Sequence, residues 1–126
     1  MEENINYTSL YQAKRLLALG YSYDTADMFF LIIYKEPGII DQIHAGIRKP
    51  NSPKFSNIKN WDNSQFVPCW SLGALLKLMN RPHINYFGKN NIRCSSVNKN
   101  SMFVETQSND YVEVCFKHLV KLREVK

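Results

Sequence analysis

Residues 83–106 read HINYFGKNNIRCSSVNKNSMFVET, and this stretch decides the fold. Three short runs of β-branched and aromatic residues, His83–Phe87, Ile92–Val97 and Met102–Thr106, are separated by Gly88-Lys89-Asn90-Asn91 and by Asn98-Lys99-Asn100. Glycine and asparagine supply the left-handed backbone that tight turns need, so the stretch predicts three strands in an antiparallel meander. On its N-terminal side, Ser71 is a natural N-cap for Leu72-Gly73-Ala74-Leu75-Leu76-Lys77-Leu78-Met79, a helix apolar on nearly every side and stopped before Pro82. Such a helix belongs inside. On its C-terminal side, Asp110 with Glu113 starts a closing helix in capping-box fashion. Val112, Cys115, Phe116, Leu119 and Leu122 form its apolar face, with Lys117, Lys121 and Glu124 opposite. Glu113 and Lys117 make a favourably oriented pair one turn apart. The second half is therefore an α-β-β-β-α unit, a three-stranded antiparallel sheet packed by helices.

Upstream, Ser9 with Gln12 is a capping box, and Leu10, Ala13, Leu16 and Leu17 follow helical spacing until Gly20, which predicts a helix over 9–19. Met28-Phe29-Phe30-Leu31-Ile32-Ile33-Tyr34, bounded by Pro37-Gly38, reads as a buried strand. Residues 35–68 carry Pro37, Gly38, Gly46, Pro50, Pro53 and Pro68 and are expected to be loop-rich, with Ile39, Ile40, Ile43 and Ile47 along one side of a short helix. The whole predicts one α+β domain over 1–126, an N-terminal helix followed by the α-β-β-β-α unit.

With 126 residues, 44% hydrophobic and 21% charged, the chain is long enough to bury a single core, and disordered, collagenous and low-complexity classes are excluded. The start Met-Glu-Glu-Asn lacks the features of a secretory signal, and the longest apolar run, Met28–Tyr34, is too short to span a bilayer. A cytoplasmic protein with no membrane partner is expected. Cys69, Cys94 and Cys115 stand at wide spacings without a C-x-x-C, and so read as reduced thiols. Residues 1–63 hold seven basic and seven acidic side chains, whereas 64–126 hold nine basic and four acidic, hence the whole net charge of +5. Between Asp62 and Glu105 there is no acid, while Lys77, Arg81, Lys89, Arg93 and Lys99 accumulate, a distribution that suits a polyanion or simply solubility.

Candidate site residues follow from that asymmetry. For nucleic acid they are Lys89 and Lys99 at hairpin tips, Arg81 and Arg93 flanking them, and Tyr86 as a stacking group, with Phe87 on the opposite face of the strand. For a protein interface, Trp61 in Asn60-Trp61-Asp62-Asn63 is polar on both sides and suits an exposed anchor, while Trp70 beside a core helix suits burial. For nucleophilic catalysis the one feature is Cys69, ahead of a helix N-terminus, with His83 as the available imidazole. A metal would need several of Cys69, Cys94, Cys115, His44, His83 and His118 to converge, and none lies at short ligand spacing. Cys94 and Cys115 are expected as core neighbours, and His118 as an exposed residue on the polar side of the last helix. Asp24 and Asp27 are explained as cap residues, and there is no glycine-rich phosphate loop, so no cofactor is expected.

Val67-Pro68-Cys69-Trp70-Ser71-Leu72-Gly73-Ala74-Leu75-Leu76-Lys77-Leu78-Met79, together with Thr25-Ala26-Asp27-Met28 after a leucine-rich first helix, resembles a set of small uncharacterised proteins of Bacteroidetes bacteria and their phages and prophages. The resemblance implies no activity, but a setting: an accessory protein of a mobile element. The expectation is a small non-enzymatic binding protein with an unknown protein partner. A nucleic-acid-binding module is the alternative, because the element order matches that of the double-stranded-RNA-binding domain. A thiol-dependent enzyme resting on Cys69 is the third reading.

Overall fold

A computed structural model describes residues 6–47 and 64–124. It divides into two compact units, Ser9–Trp70 and the remainder from Ser71 onward with the residues up to Thr8.

In the Ser9–Trp70 unit, helix α1 spans Leu10–Ala18. Ser9 caps it reciprocally: its Oγ accepts from the Gln12 N–H at 3.1 Å, and Gln12 Oε1 accepts from the Ser9 N–H at 2.9 Å. The helix runs on to its C-cap Leu19, and Gly20 at φ +93 turns the chain away. Ala13 and Leu16 are wholly buried, and the helix packs along a strand at the edge of this unit's sheet. That sheet has three antiparallel strands, β1 (Met28–Glu36), β2 (Ile39–Ile47) and β3 (Ser64–Cys69), in the order β2-β1-β3, with α1 against β3. The apolar run of residues 28–34 is thus a central strand, paired on both sides. Trp70 is wholly buried as expected, its indole N–H donating to Thr25 Oγ1 at 2.9 Å.

Residues 39–47 and 64–69 therefore differ from the loop-rich expectation, and the four isoleucines lie on a strand, not a helix. Pro37-Gly38, with Gly38 at φ +82, is the turn of a hairpin between two β-branched runs. Pro68 is tolerated because β3 is an edge strand, where a missing N–H need break no ladder. The register slips at Asp41, which has no partner on β1, so Ile40, Ile43 and Ile47 face Tyr34, Ile32 and Met28 in turn. Their three-and-four spacing, read as helical, is a strand with one extra residue. Gly46 allows a close approach: a Cβ there would lie 2.7 Å from the tip of the Phe29 ring, which would have to shift and which itself tilts against Phe66 at 5.7 Å.

In the second unit the order is α2 (Leu72–Lys77), β4 (Asn80–Tyr86), β5 (Ile92–Val97), β6 (Phe103–Ser108) and α3 (Tyr111–Glu124), the α-β-β-β-α meander that the turns predict. Ser71 Oγ accepts from the Ala74 N–H at 3.2 Å, capping α2. The β4–β5 turn places Gly88 at φ +136 and Asn90 at φ 69, and in the β5–β6 turn Asn98 Oδ1 accepts from the N–H groups of Asn100 and Met102, each at 2.9 Å. Strand β4 begins earlier than expected because Arg81, at φ 53, bulges the strand and lets Asn80 still pair with Val97. Helix α3 packs on β5 and β6, and α2 packs on α3.

One residue of α3 departs from expectation. His118 is wholly buried, not exposed, because the helix buries Val112, Val114, Cys115, Phe116 and Leu119, a stripe broad enough to include it. Its ring is held at both nitrogens, Nε2 2.7 Å from Ser96 Oγ and Nδ1 2.8 Å from Thr106 Oγ1. A buried imidazole is acceptable in a core only when both nitrogens are satisfied, and two hydroxyls, each able to donate or accept, do this for either tautomer.

Candidate functional site

Strand β5 connects the two hairpin tips, so it also separates the basic residues. Lys89 lies at the β4–β5 tip beside Tyr86 and Phe87, whereas Lys99 lies at the β5–β6 tip, the end where the Arg81 bulge sits next to the Asn80–Val97 pair. Six strand residues put about 20 Å between the two tips. Arg93 is already occupied: its guanidinium stacks 4.8 Å from the Phe87 ring centroid and reaches Glu105 at 3.6 Å. Glu105, which closes the acid-free stretch in sequence, is thus returned by β6 into the middle of it. What remains at the first tip is a small exposed cluster of Tyr86, Phe87 and Lys89, with Tyr86 and Phe87 each about 60% exposed (62% and 59%).

The thiols are core groups. Cys69 ends β3 with no exposure, and His83 is an exposed residue of β4 in the other unit. Cys94 and Cys115 are brought together as expected. The Cys94 thiol donates to Met79 Sδ at 3.5 Å, and a hydrogen bond from Cys115 holds Cys94 below its ordinary range. That same bond, with burial, pushes the Cys115 thiol up. The chain Cys115 to Cys94 to Met79 satisfies each sulfur within apolar surroundings. Ser96, His118 and Thr106 have the spacing of a nucleophile, a base and an orienting group. Yet Ser96 and His118 are sealed in the core, and burial, with the charge of Lys121, lowers the imidazole to about 4. A base that weak, out of reach of solute, serves packing.

The anomalous surface is β2. Every described side chain from Ile39 to Ala45 is exposed, and so is Ile47. Ile47, Ala45 and Ile43 lie opposite Met28, Phe30 and Ile32, so the apolar face that β1 buries continues onto exposed side chains of β2. Among the described residues β2 is also an edge strand, and its only interruptions over Ile39–Ile47 are the charge and bulge at Asp41, with no lysine, arginine or proline. Edge strands in monomeric proteins usually carry such protection. Sequence reasoning missed this site, although Pro37-Gly38 between β-branched runs was the available signal.

Trp61 lies outside the described residues. Among the described residues no group of three His, Cys, Asp or Glu converges as a metal site, and no helix is long and apolar enough to cross a membrane. Comparison with protein-family models, with curated proteins and with solved structures finds no match in any of the three.

Proposed function

We propose that this chain is a non-catalytic binding protein, an accessory factor of a phage or other mobile element, that engages a protein partner through the edge of β2. One observation carries this reading: Ile43 and Ile47, exposed to 46% and 76%, extend a buried apolar sheet face onto a strand whose outer edge has no strand partner among the described residues. An open edge offers backbone hydrogen bonds to any extended segment, and the isoleucines add apolar area that water leaves favourably. The mobile-element setting rests on the resemblance of Val67–Met79 and Thr25–Met28 described above. A cytoplasmic setting is supported by three buried cysteines kept as free thiols.

The alternative, nucleic-acid binding, has a specific observation behind it in the cluster of Tyr86, Phe87 and Lys89. It is the weaker reading, because Arg93 is paired with Glu105 and the remaining basic groups divide between two ends of the sheet. The test is affinity capture from host extract by the full chain and by its Ile43→Lys variant. A partner recovered in stoichiometric amount by the first and lost by the second supports the reading. Equal recovery, or none, overturns it.

A further inference from the structure

We infer that the face of the β4-β5-β6 sheet turned away from α3 is a platform for single-stranded nucleic acid, with Phe87 and Phe103 as the rings on which bases stack. This surface is separate from β2 and does not depend on the reading of that strand. Hydrogen bonds fix which face is which: Ser96 of β5 and Thr106 of β6 both bond His118 of α3. Side chains alternate along a strand, so Arg93 and Ser95 of β5, and Phe103, Glu105 and Gln107 of β6, take the opposite face. Their ladder partners on β4, His83 and Asn85, share it. Phe87 joins through Arg93, whose guanidinium lies 4.8 Å from its ring centroid. Tyr86, the aromatic that the sequence offers for stacking, falls instead on the α3 side, opposite buried Ile92.

Phe87 and Phe103 are 59% and 68% exposed, and His83, Asn85, Glu105 and Gln107 are exposed between them. The two rings stand at opposite ends of β5: the Phe87 N–H donates to the Asn91 carbonyl just before the strand, and Phe103 pairs with Val97 at its end. The six residues of β5 separate them by about 20 Å along the strand. Polar groups in between keep them from forming one apolar patch of the kind that docks a protein. Flat rings standing apart, with amide, imidazole and guanidinium groups between, match bases strung along a flexible backbone. Charge favours a polyanion over a neutral ligand such as an oligosaccharide. Arg93 and Glu105 offset each other at 3.6 Å, while Lys89 and Lys99, exposed in the two turns, add a cation at each end of the face. That division weakens a duplex contact but suits one strand laid along the face with a phosphate held at either end. A duplex also keeps its base faces inside its own stack, where the rings cannot reach them.

The experiment is fluorescence anisotropy at low salt with labelled oligothymidylate and oligouridylate of about twelve nucleotides, inside the range of about 4–16 that one small single-strand-binding domain covers. The full chain is compared with its Phe87→Ala, Phe103→Ala, Phe87→Tyr and Phe103→Tyr variants, and far-UV circular dichroism shows that each folds. Each alanine variant is expected to raise the dissociation constant about fivefold or more, and each tyrosine variant, which keeps a ring, to stay within about twofold. An abasic strand of the same length, which keeps the phosphates and lacks the bases, is expected to bind about fivefold or more weakly. Binding of either oligonucleotide with this pattern supports the inference. No binding at low salt, equal affinity for the abasic strand, alanine variants that bind like the wild type, or tyrosine variants that lose as much as the alanine ones overturn it. None of these outcomes bears on the β2 reading, which capture of a protein partner tests by itself.

Discussion

Ile43 of β2 lies directly opposite Ile32 of β1, yet Ile32 has no exposure and Ile43 is 46% exposed. Two residues of one type, joined by the same ladder, thus do different things: one is core and the other surface. Burial decides the cost of losing each. Ile32→Ala is expected to cost about 2–4 kcal/mol, because it removes transfer energy and leaves a cavity between β1's neighbours. Ile43→Thr is expected to stay within about 0.5 kcal/mol, since a hydroxyl there remains in water. Urea denaturation at the lowest workable protein concentration checks both, since dilution keeps association out of the comparison.

The His118 imidazole makes stability depend on pH. Its folded value, about 4, lies below the ordinary 6.5, so the neutral form is the one the folded state favours. The contribution is fully present above pH 6.5 and is lost as pH falls through 4, a change on the order of 3 kcal/mol. His118→Gln keeps a donor and an acceptor toward Ser96 and Thr106 but does not titrate. It is expected to lower Tm at pH 7.5 and to flatten the fall between pH 6.5 and 4. A wild-type Tm that does not change over that interval contradicts this account.

The thiols should be slow. Cys69, Cys94 and Cys115 are all wholly buried, so a disulfide reagent at neutral pH is expected to label the native chain only at the rate at which it opens, and all three thiols at once in denaturant. Fast, selective labelling of Cys69 in the native chain would restore the thiol-enzyme reading.

Duplex RNA and DNA should bind weakly. With Lys89 and Lys99 at opposite ends of β5 and Arg93 held by Glu105, association at low salt is expected to vanish at moderate salt. Lys89→Ala and Lys99→Ala should then act independently. Salt-resistant binding that Lys89→Ala abolishes would instead establish the Tyr86–Phe87 tip as a nucleic-acid site.

Much of the second unit could be read from residues 71–122, because its signals are local. Ser71 caps a helix, glycine and asparagine mark two turns, and Asp110 accepts from the Glu113 N–H at 3.0 Å to start the last helix. The first sheet was half legible: residues 28–34 showed a strand, but its partners did not show themselves. The isoleucines of β2 keep helical spacing because of one bulged residue, and Pro68 disguised β3.

The sequence by itself determined the α+β class, the order of elements from Ser71 onward, the caps, and the placing of Cys94 and Cys115 as core neighbours, since caps, turns and hydrophobic periods act over a few residues. Only the tertiary structure decided which side of a mixed face lies inside. It buried His118 between Ser96 and Thr106, placed Glu105 against Arg93, and left Ile43 in water beside a buried Ile32. Those outcomes depend on which strand becomes the edge and how far a helix covers its sheet, and such pairings over long separations leave no period in the chain.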